Sequence, residues 1–223
     1  MSDFFTTVQT QPPAISLPVY LFLLAGLLFL GYLSVRYYNH PTYVAFFKWV
    51  QILQLVFLYS WYMAKGIPFS NSLPLYHCRL AMLALLFLPD DTRLKQYFAL
   101  MGLSGAVFAI GYPVMDAYDF PHITAVSFII GHYALLVNSL VYLLGQYQVH
   151  LLQKRQIISY TLVLNFFLVL VNQITGGNYG ILRHPPFITD DYLSLNYLVV
   201  SVVLIAMLLL LNHLFVIKYQ KEV

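Results

Sequence analysis

A chain of 223 residues that is 61% hydrophobic and 9% charged, with a mean hydropathy of +0.76, is far from a soluble domain, where roughly a quarter of the residues are charged. It belongs in a bilayer. The formal charge of +3 calls for no nucleic-acid partner, and a single cysteine excludes an internal disulfide framework and any multi-cysteine metal site.

The N-terminal stretch MSDFFTTVQTQPPAIS lacks the basic n-region of a signal peptide, so the first apolar segment is expected to be retained as a spanning helix. Such a helix needs about 20 mostly apolar residues. Seven segments qualify, residues 17–38, 43–63, 72–88, 96–115, 122–145, 156–175 and 194–217. They are separated by polar, Pro- and Gly-bearing breaks such as Asn39-His40-Pro41 and Pro89-Asp90-Asp91. The expectation is an all-α fold: one integral membrane domain over residues 1–223, a polytopic bundle of about seven transmembrane helices, without a soluble domain or internal repeat.

Basic residues orient such a bundle. One side collects Arg36, Lys48, Arg93, Lys95, Lys154, Arg155, Lys218 and Lys221, and the other only Lys65 and Arg183. This places the N-terminus outside and the C-terminus in the cytoplasm of a multi-pass cell-membrane protein.

The third segment opens SLPLYHCRLAML. Tyr76, His77, Cys78 and Arg79 are expensive inside an apolar helix, and such residues mark a functional site by default. Entering from outside at residue 72, that helix would carry Cys78 about 9 Å down, and the fifth would carry His132 about 15 Å down. The two side chains are then expected to meet in the outer half of the membrane. A thiol acts as a nucleophile through its thiolate, and an imidazole from another element serves as its base. The plainer reading makes Cys78 a small core residue and His132 a structural histidine. His77 and Arg79 flank the thiol and tune its field. Arg79 is equally suited to snorkel, to pair with Asp116 or Asp119, or to hold a lipid phosphate.

In the fourth segment Gly102/Ala106 and Gly105/Ala109 read as close-packing pairs. In the sixth, Thr161, Asn165 and Asn172 share a face. The outer loop that follows, GGNYGILRHPPFITDD, offers Asn178, Tyr179, Arg183 and His184, and loops carry function more often than scaffolds do. The seventh segment, VVSVVLIAMLLLL, shows no polar stripe and is expected to face lipid. No metal site is expected: no H-x-x-x-H pattern occurs and the one Glu is Glu222. No cofactor motif is present either.

At LPLYHC, IIGHYALL and above all NQITGGNYGILRHPP, the chain resembles the YwaF family of bacterial integral membrane proteins, which has vertebrate multipass relatives. The resemblance runs from about the second segment to the loop before the seventh. It implies a compact helical membrane protein with a Cys/His pair, here Cys78 and His132, and, for the vertebrate branch, acyl transfer onto lipids. The bacterial form of the first motif is closer to LPLHLC; here Tyr76 stands at that His position and His77 follows it.

Two functions stay open. One is a lipid acyltransferase or acyl hydrolase in which Cys78 attacks an acyl ester and His132 carries the proton. His77, Arg79, Asn172, Asn178, Tyr179 and Arg183 would bind substrate, with Asn172, Asn178 or Tyr179 donating to the oxyanion. The other is a non-catalytic membrane protein of the cell envelope that binds lipid or a partner. Membrane lipids are the expected partners in both, with a homo-oligomer or an envelope protein as further candidates. A transporter is disfavoured, since no inverted repeat or pair of matched broken helices is visible.

Overall fold

The computed structural model describes residues 3–186 and 192–220; Lys221 and residues 187–191 of the outer loop lie outside them. The described residues form helices α1 (Leu17–Tyr37), α2 (Pro41–Ala64), α3 (Phe69–Ser72), α4 (His77–Phe87), α5 (Arg93–Gly111), α6 (Ile123–Gly145), α7 (Lys154–Thr175) and α8 (Leu193–Gln220). Short 3-10 turns stand at Asp3–Phe5 and Tyr179–Ile181, and no strand occurs among the described residues. Six helices, all but α3 and α4, are long and apolar enough to cross a membrane. The protein is a polytopic helical bundle. Its chain divides into two compact units, residues 1–66 with 105–145 and residues 67–104 with 146–223.

In the first unit α1 and α2 pack on α6. Their lipid-facing sides stay apolar, with Phe22, Leu28, Phe57 and Met63 exposed. The inward sides are joined by polar contacts, as expected where lipid offers helices no hydrophobic drive to associate. Tyr133 on α6 donates to the Leu23 carbonyl at 2.8 Å, Asn138 donates to the Phe47 carbonyl at 3.1 Å, and Gln54 donates to Ser127.

In the second unit α7 packs on α8, and α3 and the turn at Tyr179–Ile181 pack on α7. The expected stripe on α7 is its buried face, with Thr161, Asn165 and Asn172 among the buried residues. Most of the last helix is unburied and apolar, as a lipid-facing helix would be, but α8 buries Asn196, Ser201 and Asn212. These three are spaced too widely among aliphatic residues to read as a stripe, yet each is drawn inward by a partner. Tyr147 donates to Asn212 Oδ1 at 2.9 Å.

The segment over residues 72–88 also departs from expectation. Helix α3 ends at Ser72, residues 73–76 are non-helical with Leu73 and Tyr76 extended, and helix resumes only at His77. Pro74 is the cause. It has no N–H to continue the ladder, and it pushes the residue before it out of the α region; Leu73 sits at φ −71, ψ 147. Helix α4 has 11 residues, about 16 Å at 1.5 Å per residue, half of the roughly 30 Å hydrocarbon core. It stops before Pro89, where Lys95 Nζ donates to the last carbonyl, that of Leu88, at 2.7 Å and meets Asp90 at 2.7 Å.

Candidate functional site

Residue 78 lies in the first turn of α4, after the non-helical residues 73–76, rather than part-way down a continuous helix. The N-cap of α4 is Tyr76, at φ −69, ψ 142. His77, Cys78 and Arg79 therefore occupy its first three positions, where backbone N–H groups have no partner inside the helix. Cys78 is half-buried and in no disulfide.

His77 is fixed by a chain of side chains from α7 and α8. Its Nε2 lies 2.7 Å from Asn165 Oδ1, and Asn165 Nδ2 donates to Ser201 Oγ at 2.9 Å. Asn165 and Ser201 are buried. A carbonyl oxygen only accepts, so Nε2 carries the hydrogen and the neutral ring holds its lone pair on Nδ1. Arg79 lies with its guanidinium 5.3 Å from the centre of the Tyr76 ring, within cation–π range.

The loop after α7 is built against this turn. Gly176 ends α7 in the left-handed region at φ +73, with its N–H donating to the Asn172 carbonyl at 2.9 Å. A Cβ on Gly177 would stand 2.7 Å from the Ser70 carbonyl oxygen, so the loop comes this close to α3 only without a side chain there. Gly180 is left-handed again at φ +68, and a Cβ on it would stand 2.9 Å from the His77 ring. Ile181 follows at φ 59, a strained setting for a β-branched residue.

Tyr179 ties the loop to α3 and to residues 73–76. Its hydroxyl donates to the Phe69 carbonyl and accepts from Leu73 N–H at 2.9 Å. Its ring meets Tyr76 edge-on at 5.1 Å. Asn172 holds the backbone of Tyr179 at both ends: Oδ1 accepts its N–H at 2.7 Å and Nδ2 donates to its carbonyl at 2.9 Å. Asn178 likewise spends its amide on the loop, accepting from the N–H groups of Arg183 and His184 and donating to the His184 carbonyl. Arg183 is exposed; its Nη1 donates to the Gly176 carbonyl at 3.3 Å, and its own carbonyl accepts from Asn196.

Asn172→Leu is therefore expected to leave two buried backbone groups of Tyr179 unmet. The cost is roughly 2–6 kcal/mol at about 1–3 kcal/mol for each orphaned group, measured as the shift in an SDS-unfolding midpoint in mixed micelles.

Of the site residues expected from sequence, Cys78, His77, Arg79, Asn172, Asn178, Tyr179 and Arg183 all lie in the second unit. His132 lies in the first, on α6, buried, with Nδ1 donating to the Phe128 carbonyl one turn earlier at 2.7 Å. Its neutral ring thus keeps the lone pair on Nε2. Sequence reasoning missed the part played by Asn165, although it stood in the α7 stripe. It also missed Ser201, for which a lone Ser among valines gave no signal, and the packing of Gly180 on His77. Among the described residues no three His, Cys, Asp or Glu side chains gather as metal ligands.

No curated protein and no solved structure matches this chain. Residues 4–216 match the TMEM164 family. A match of that extent takes in the α4 turn, the α7 stripe and the glycine loop together, and the chain belongs to the TMEM164 family.

Proposed function

We propose that the protein is a membrane-embedded acyl-transfer enzyme acting on lipids, with Cys78 as nucleophile and a histidine as proton carrier. The observation that supports this reading is His77: an imidazole held on the Asn165 carbonyl, immediately before the sole thiol of the chain. An imidazole oriented by a third group is what a general base requires, and the thiol is its neighbour in sequence. The likeness to YwaF proteins, and the acyl transfer it implies, belong to the same proposal. So do the outside N-terminus, the cytoplasmic C-terminus and the cell-membrane location drawn from the basic residues, an orientation that requires residues 69–87 to cross as a seventh span beside the six long helices.

The thiol gives its proton to imidazole, and the sulfur attacks the ester carbonyl of a lipid. The ester C–O bond breaks, the departing alkoxide takes the proton from imidazolium, and an acyl-thioester remains on Cys78. A hydroxyl acceptor then loses its proton to the imidazole and attacks the thioester. Sulfur leaves and is reprotonated; water in place of the acceptor makes the reaction a hydrolysis. With the site open to the outer leaflet, the donor is a phospholipid rather than a soluble thioester.

The test is intact-protein mass spectrometry after incubation with phospholipid. The wild type is expected to gain a fatty-acyl mass that neutral hydroxylamine removes, and Cys78→Ser is expected to gain none. His77→Ala and His132→Ala, assayed side by side, separate the two imidazoles: the one that carries the proton loses the adduct. A Cys78→Ser protein that complements a deletion strain removes the nucleophile from the reading and leaves lipid binding without catalysis.

A further inference from the structure

Away from the α4 turn, in the first unit, a buried histidine clasps the N-terminal segment. His122 immediately precedes α6 and is buried. Its ring stacks on Tyr118, with centroids 4.0 Å apart and planes 14° apart, and takes Trp61 edge-on at 5.1 Å. Nδ1 accepts from Thr124 N–H at 3.3 Å and lies 2.9 Å from the Thr124 hydroxyl. Nε2 therefore carries the ring hydrogen and donates to the Thr6 carbonyl at 3.1 Å.

The same segment is pinned at three further points. Trp61 Nε1 donates to the Phe5 carbonyl at 3.2 Å. Thr10 N–H donates to the Ala117 carbonyl at 2.8 Å, and its hydroxyl donates to Asp119 Oδ1 at 3.1 Å. Gln9 hydrogen-bonds Tyr118.

This clasp needs a neutral ring. Protonated, Nδ1 ceases to accept. The Thr124 hydroxyl can reverse its role, but the Thr124 amide cannot, and it would face a second donor. The new positive charge would also sit at the N-terminal end of α6, where the helix dipole favours anions. The charged groups on the elements packed here are Asp3 in the N-terminal segment, Lys65 just past α2, and Asp116 and Asp119 in the loop before α6. Of these Asp116 acts on the ring and favours its charged form. Burial outweighs it and holds His122 below the ordinary 6.5.

We propose that residues 3–10 form an acid-released strap, held by neutral His122 and let go when that ring is protonated. The sign follows from linkage. A histidine whose folded-state affinity for protons is lowered contributes stability that is complete above about 6.5 and declines as the pH falls toward its folded value. The inference is independent of the acyl-transfer reading.

The experiment is hydrogen exchange by mass spectrometry on the full chain in nanodiscs, corrected for intrinsic rates, between about pH 7.5 and 5. The wild-type peptide covering residues 3–10 is expected to lose protection by about tenfold or more on acidification, as its opening free energy falls toward that of a frayed terminus. Protection that is equal at both ends of the range overturns the proposal. His122→Gln is expected to abolish the acid-induced loss, and a loss of unchanged size in that variant overturns it as well. Asp116→Asn removes the charge that favours imidazolium, so the release midpoint is expected to fall to lower pH; a midpoint that stays or rises counts against the clasp.

Discussion

Gly180→Ala is expected to destabilise the protein by about 2–4 kcal/mol and to weaken acyl-thioester formation on Cys78 together with its stability. Two costs add. Left-handed backbone in a residue with a Cβ costs of order 1 kcal/mol, and Gly180 stands at φ +68. The new methyl would also lie 2.9 Å from His77 Cε1 and 3.0 Å from Leu168 Cδ1, and overpacking of this kind costs typically 1–3 kcal/mol. The leucine methyl can turn aside; the imidazole cannot without leaving Asn165. Gly176→Ala is the control. It has the same backbone sign, φ +73, but nothing within 4 Å of its Cβ. Its expected cost is the backbone share alone, about 1 kcal/mol. The difference between the two unfolding midpoints measures the contact with His77. Equal shifts would show that the imidazole does not rely on the glycine.

Asn165→Leu is expected to have the larger effect on chemistry. The substitution keeps the volume of the α7 face but removes the acceptor of His77 Nε2–H and the donor to Ser201, so two polar groups in the second unit lose their partner. At about 1–3 kcal/mol for each unmet group, the loss of stability is roughly 2–6 kcal/mol. The acyl-transfer rate is expected to fall by about 10²–10⁴-fold if His77 carries the proton, the range that a positioned acid–base group supplies. Ser201→Ala leaves the His77 contact in place and is expected to cost about 1–3 kcal/mol for the one amide donor it orphans, with little change in rate. A thioester yield that is the same for Asn165→Leu and Ser201→Ala would remove His77 from the proposed mechanism.

The long helices were legible because lipid imposes a simple demand: about 20 apolar residues with every backbone group satisfied internally. Expected bounds of 17–38 and 156–175 compare with Leu17–Tyr37 and Lys154–Thr175. The demand failed at residues 72–88. Composition there is that of a span, yet Pro74 outweighs composition in the local choice of backbone, and the helix begins at His77. The α7 stripe was legible because Thr161, Asn165 and Asn172 recur at helical spacing. The partners of that stripe were not. Ser201 is an isolated polar residue in an aliphatic run, and only the packing of α8 on α7 gives it a side to face. The loop motif was visible as a motif without its reason. The need for glycine at 177 and 180 comes from Ser70 and His77, and no local pattern announces contacts across that many residues.

The non-helical break before α4 also bears on how the chain is made. A segment that enters a bilayer must bring its own backbone partners or wait for them. Tyr76 brings its own, its carbonyl accepting from Leu80 N–H at 2.9 Å. The N–H of Leu73 is met by the hydroxyl of Tyr179, 106 residues later in the chain. Helix α4 alone is too short to seat the segment across the membrane. The ribosome therefore has to deliver α5, α6 and α7 before the thiol-bearing turn has anything to close against, and the site is assembled after most of the protein has left the translocon.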